Sequence, residues 1–231
     1  MRRVEAIVFD KDGTLFDFQS TWAPVFVKLL DMLALDTSHE ETAKALHFDL
    51  ANMRFQPDSV FVAGTSGEVA ETLAQVTGRD KIALEQVLRH VGKGAQQMPA
   101  VPLAPCLGAL AQNFTLGLVT NDDEASARAH LAQEGVLELF DFVAGYDSGF
   151  GGKPAPGQLL AFSRSTGVAA DVTLMVGDSR HDLAAGRAAG MGTVGVLTGV
   201  AGKAELSDLA DVILQDIGQL HSWITGQAGD L

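Results

Sequence analysis

One cysteine, Cys106, is all that the 231 residues contain, so no intrachain disulfide can form. The expected compartment is the reducing cytosol. Long apolar runs are missing as well. No stretch approaches the roughly 20 residues of a membrane span. The mainly apolar residues 4–9 run into Asp10 and are too short for a secretory signal. Basic residues are few, 16 against 29 acidic ones, and the formal net charge is −13. That balance argues against non-specific binding to nucleic acid or to an anionic membrane. It leaves room for a small anionic substrate, because a few positive groups in one cleft prevail locally. Low-complexity tracts are absent, and 47% of the residues are hydrophobic, which excludes a disordered chain. Length and composition fit one sizeable domain, or a core domain with a smaller one attached.

Along the chain, residues 4–9 read as a buried strand that runs straight into Asp10-Lys11-Asp12-Gly13-Thr14, where Gly13 permits a sharp turn. Residues 17–95 read as mostly helical. Trp22, Val25, Phe26, Leu29, Leu30 and Leu33 keep the helical period, with Ser20 or Thr21 as N-cap and Pro24 in the first turn. Ser38 with Glu41 and Thr65 with Glu68 form capping boxes before two further helices. Leu84, Val87, Leu88 and Val91 mark a fourth. No strand pattern interrupts this stretch, which predicts a small helical bundle.

After the proline-containing segment 98–105, strands and helices alternate. Strands are expected at 114–120, 142–144, 172–176, 193–197 and 211–214, and helices at 104–112, 123–134, 155–166, 179–189 and 216–225. The pattern predicts an α/β fold with a Rossmann-like parallel sheet covered on both faces. The core comprises residues 1–16 and 96–231, and the helical domain is inserted at 17–95.

Sheets of this kind bind ligands beyond the carboxyl ends of their strands. Asp10 and Asp12 follow the first strand, Thr120 and Asn121 the next core strand, and Asp178 a third, with Asp182 four residues on. Lys153 stands in Gly151-Gly152-Lys153-Pro154 just before a helix. Singly, such an aspartate is an ordinary helix N-cap and such a lysine a solvated surface group. Together at one sheet edge they describe a chemistry. Converging carboxylates repel one another, which a hard divalent cation relieves, and oxygen donors without His or Cys favour magnesium over zinc. Asp10 is the candidate nucleophile and Asp12 the general acid/base. Lys153, the Thr120 hydroxyl and nearby backbone amides would bind the phosphoryl oxygens.

These stretches resemble the four signature motifs of the haloacid dehalogenase-like hydrolase superfamily: Asp10-x-Asp12-Gly13-Thr14, Thr120 at a strand end, Lys153 in Gly-Lys-Pro, and Gly177-Asp178-Ser179-x-x-Asp182. The resemblance covers the whole chain, with residues 17–95 matching a C1-type helical cap. Residues 177–199 are most similar to the phosphoglycolate phosphatase-like branch. The resemblance implies that Asp10, Asp12, Asp178 and Asp182 serve a Mg2+ site, Asp12 through its backbone carbonyl. It implies an aspartyl-phosphate on Asp10 and, as partner, a small phosphorylated metabolite. Asp12 favours phosphate esters over carbon–halogen or carbon–phosphorus bonds. A hexose-phosphate mutase keeps the same aspartate, although Thr14 agrees better with a phosphatase. The rival from another class is a non-catalytic binding or regulatory member.

Three expectations concern the cap. Residues 16–20 and 92–98 are its hinges. The glycine-rich turn before a helix, with Thr65 and Ser66, would hold an anionic substrate group through free amides, and Arg54 would pair with the same group. Phe18 and Trp22 line the leaving-group pocket or, by default, the bundle core. The string Gly190-Met191-Gly192-Thr193-Val194-Gly195 imitates a dinucleotide fingerprint, but a helix precedes it and a strand follows, the reverse of the required order.

Overall fold

A computed structural model describes residues 3–33 and 37–227. The first strand, β1 (Ala6–Phe9), is buried at all four positions, as a central strand of a covered parallel sheet should be. The chain then forms α1 (Phe18–Leu33), α2 (His39–Ala45), β2 (Phe48–Asp49), β3 (Arg54–Phe55), α3 (Val60–Ala63), α4 (Ser66–Thr77) and α5 (Lys81–Lys93). From α6 (Leu103–Ala111) strands and helices alternate: β4 (Thr115–Val119), α7 (Glu124–Gln133), β5 (Phe142–Ala144), α8 (Gly157–Thr166), β6 (Thr173–Gly177) and α9 (Arg180–Ala189). The described residues end with β7 (Gly192–Val196), α10 (Lys203–Leu206), β8 (Val212–Leu214) and α11 (Leu220–Gln227).

Six strands form one sheet in the order β5-β4-β1-β6-β7-β8, with every pair parallel. The chain builds outward from β1, first to one side and then to the other, so the strand order reverses at β1. That reversal opens a crevice at the carboxyl ends of the central strands. Side chains alternate across the sheet. Ile7 and Phe9 join Leu116, Leu118, Leu107 and Leu131 on one face, while Ala6 and Val8 join Met175, Leu159, Phe162 and Ala185 on the other. The fold is α/β, the expected core elements differ from the observed ones only at their ends, and the short helix α10 is an addition to them.

Two expectations for the inserted stretch need correction. The first is that it is not purely helical: Phe48 and Phe55 pair across the antiparallel β2–β3 hairpin. Their rings lie 4.8 Å apart and both pack on Phe26. The Gln19 amide clamps the Phe55 backbone with two 3.0 Å bonds. Aromatic packing thus closes strands too short to show a period in sequence. The second is that α1 starts before Ser20, because the Asp17 carboxylate accepts the Ser20 N–H at 2.8 Å and caps the helix. Pro24 therefore stands inside α1 and not in its first turn.

Between Phe18 and Ala95 the chain closes round its own apolar cluster, which includes Phe26, Leu29, Leu73 and Leu84. The two crossings that join this body to the sheet run side by side. Phe16 pairs antiparallel with Pro99. The Asp17 N–H donates to the Met98 carbonyl at 2.7 Å, and the Ala100 N–H to the Leu15 carbonyl at 2.9 Å.

Candidate active site

Register brings the strand ends together. Phe9 stands opposite both Leu118 and Val176, so Asp10, Thr120 and Asp178 emerge at one edge of the sheet. Asp182 follows in the first turn of α9, where its Oδ2 accepts the Ser179 N–H at 3.0 Å and the Ser179 hydroxyl at 2.6 Å. That capping box leaves Asp182 Oδ1 aimed into the crevice. Glycine makes the crowding possible. Gly13 has φ +84°, and a Cβ there would overlap the Asp178 carboxylate. A Cβ at Gly199 would meet the same carboxylate, and one at Gly177 would meet Asp182.

Lys153 holds the centre. Its Nζ lies 2.5 Å from Asp10 Oδ1 and 2.6 Å from Asp182 Oδ1, and donates to the Val119 carbonyl at 3.2 Å. Burial works against its charge, but Asp10 and Asp182 prevail and raise its pKa. The loop that carries Lys153 is pinned by Asn121, whose Oδ1 accepts the Lys153 N–H at 2.8 Å and whose Nδ2 donates to the Lys153 carbonyl at 3.0 Å. Asn121 thus places the lysine backbone, and it also borders the cavity, where the sequence reading expects it to bind substrate.

One lysine does not balance the carboxylates. Burial, with repulsion from Asp182 and Asp12, outweighs Lys153 and lifts the Asp10 pKa from 3.8 to about 7. Burial, then Asp182 and Asp10, holds Asp178 well above the usual carboxylate range. Asp10, Asp178 and Asp182 are all buried and offer oxygen atoms within 4.8 Å of one another. A buried all-oxygen cluster with unbalanced negative charge fits a hard divalent cation.

Asp12 is held from two sides. The Trp22 indole N–H donates to its Oδ1 at 2.8 Å, and Lys11 Nζ lies 2.8 Å from its Oδ2. Lys11 is wholly buried and also pairs with Asp122 at 2.9 Å. Burial alone would discharge it, yet Asp12 and Asp122 raise its pKa. His130 Nδ1 sits 3.1 Å from the ammonium, and burial followed by repulsion from Lys11 lowers the His130 pKa, so the neutral ring is the acceptor. Sequence reasoning missed Lys11, Asp122 and His130. The only signal for Lys11 was its place between two aspartates directly after a buried strand.

A cavity of about 740 Å³, counting its open mouth, lies over the cluster. Asp10, Asp12, Thr120, Lys153, Asp178 and Asp182 border it below. The Thr120 hydroxyl accepts the Asp122 N–H at 3.0 Å, and Gln158 fixes the Thr120 carbonyl at 3.0 Å. Phe18, Trp22, Phe61, Val62, Val69 and Leu88 face it from the inserted body, together with Ser66. Phe18 and Trp22 serve the bundle core and the cavity wall at once. Two residues expected to meet substrate do not border the cavity. Arg54 is exposed on β3 and away from the wall. Thr65 is committed to its capping box, donating to Glu68 Oε2 at 2.9 Å, and does not border the cavity.

Known proteins resemble the chain in sequence and fold. The family model of haloacid dehalogenase-like hydrolases matches residues 4–190. The protein named "Probable phosphatase IndB" from Dickeya dadantii is 30% identical over 226 residues, covering 94% of this chain and 93% of its own. Phosphoglycolate phosphatase of Escherichia coli K12 is 30% identical over 232 residues, covering 94% and 91%. The crystal structure of the hydrolase YfnB of Bacillus subtilis, bound to magnesium, superposes with a TM-score of 0.72 at 18% identity, covering 97% of this chain and all of that one. Among the described residues, no helix is long and apolar enough to cross a membrane.

Proposed function

The chain belongs to the haloacid dehalogenase-like hydrolases and is a phosphomonoester hydrolase; from that premise we propose that Asp10 is its nucleophile and that the ester is a small phosphorylated metabolite. The observation that carries the reading is the buried Lys153 ammonium, which touches Asp10 and Asp182 together beside Asp178. A phosphoryl group entering this corner meets the Lys153 ammonium, the Thr120 hydroxyl and the backbone amides after β4. The carboxylates of Asp10, Asp178 and Asp182 and the Asp12 carbonyl would hold Mg2+. When bound, the cation screens the nucleophile from the negative phosphoryl oxygens.

In the first step an Asp10 oxygen forms a bond to phosphorus, and the ester P–O bond breaks. Asp12 gives its proton to the departing oxygen, and Trp22 and Lys11 fix the angle at which it does so. In the second step Asp12 takes a proton from water, whose oxygen attacks phosphorus. The bond to Asp10 then breaks, and inorganic phosphate leaves. Residues 17–95 act as a cap that excludes water and sets the leaving group, with residues 16–20 and 92–98 as its hinges. The relatives named phosphoglycolate phosphatase support a small leaving group.

Asp10→Asn should keep its circular dichroism spectrum and lose p-nitrophenyl phosphate turnover by several orders of magnitude. Retained turnover would refute the nucleophile. EDTA should stop the wild-type reaction and magnesium restore it; turnover indifferent to both would exclude the metal site.

A further inference from the structure

Resting on the phosphatase reading, we infer that the leaving group is apolar, an alkyl or aryl alcohol without a carboxylate, and that phosphoglycolate is a poor substrate. The cavity divides by chemistry. Every charged side chain on its wall belongs to the sheet side, while the inserted body contributes Phe18, Trp22, Phe61, Val62, Val69 and Leu88, with Ser66 as its one polar side chain among the described residues. Trp22 and Phe61 meet edge to face with centroids 5.8 Å apart, a surface suited to a ring or an alkyl chain. Among the described residues Lys153 is the one lysine or arginine bordering the cavity, with His181 also on the sheet side, and Asp10 and Asp182 already hold the Lys153 ammonium.

A carboxylate on the leaving group would lie against that apolar wall and above Asp10, Asp12, Asp122, Asp178 and Asp182. It would give up water without meeting a lysine or arginine on that wall, which is unfavourable. Three neighbouring cations do not reach it. Lys11 lies beneath the wall between Asp12 and Asp122. Arg89 of α5 bonds the Tyr146 hydroxyl at 2.7 Å. Arg54 is off the wall. At the N-terminus of α4, a natural seat for a carboxylate, the Thr65 N–H is already taken by the helix's own Glu68, whose Oε2 accepts it at 2.7 Å. An apolar group instead gains affinity with each methylene it buries.

The test compares benzyl phosphate, a series of n-alkyl phosphates and 2-phosphoglycolate with the full chain in magnesium. All release unactivated alcohols, so the ratios of kcat/KM report recognition. Benzyl phosphate should exceed phosphoglycolate by about 100-fold. Each methylene of the alkyl series should add about fourfold until the cavity fills. Calorimetry should show benzylphosphonate binding and phosphonoacetate not binding. Leu88→Lys should narrow the benzyl-to-phosphoglycolate ratio at least tenfold by placing a cation on the wall. Phosphoglycolate turned over as well as benzyl phosphate would overturn the inference and leave the phosphatase intact. No turnover of any of these esters or of p-nitrophenyl phosphate would instead overturn the hydrolase reading beneath it.

Discussion

Lys11 shows how one residue ties the reacting carboxylate to the fold. It has no access to water and neutralises Asp12 and Asp122 together. Lys11→Met would leave both acids without their partner in a poorly solvated place. We expect a loss of roughly 3 kcal/mol in urea denaturation, partly recovered by adding Asp122→Asn. An unchanged midpoint would mean that the pair contributes nothing. Asp10 makes the opposite kind of contribution. With its pKa near 7 against 3.8 when exposed, the folded protein holds this proton more tightly than the unfolded chain does. The destabilisation is therefore absent below about pH 4 and complete above about pH 7. Metal-free protein should lose thermal stability as pH rises between these limits, and magnesium should offset most of the loss. A metal-free Tm that climbs over that range would contradict the burial of this charge.

At the scale of elements, α1 matters because its second turn carries Trp22 to Asp12 across the boundary between insert and sheet. Trp22→Phe keeps the apolar wall and removes the donor, so kcat should fall about tenfold with little change in KM. A rise in KM alone would show that the indole only packs. In α4, Thr65→Ala should cost about 1 kcal/mol of stability, because the side chain caps the helix, and should leave kcat/KM for benzyl phosphate unaltered. The capping boxes at Ser38 and Thr65 were legible because each needs only two residues at a fixed spacing. The β2–β3 hairpin was not, since its two-residue strands exist only through contacts between Phe26, Phe48 and Phe55. The start of α1 was misread for a similar reason: Asp17 caps from a position where a turn residue looks equally natural.

For the whole molecule, strand ends were the informative feature. A doubly wound sheet sends its functional groups to one edge, so the motifs at Asp10, Thr120, Lys153 and Asp178 could be placed together before any distance was known. What joins those motifs was hidden. The Lys11–His130 contact spans 119 positions, and the room made for Asp178 by Gly199 depends on packing that no local pattern encodes. Arg54 and Thr65 were misplaced because the direction of a side chain in the insert follows from how its helices lean together, which periodicity does not report.

The paired crossings at Phe16 and Pro99 also make the helical body a detachable module. Its two ends lie one strand spacing apart, about 5 Å. A graft from another hydrolase would need only matching ends, with no rethreading of the sheet. Recognition could in this way be exchanged wholesale while the chemistry beneath stays put.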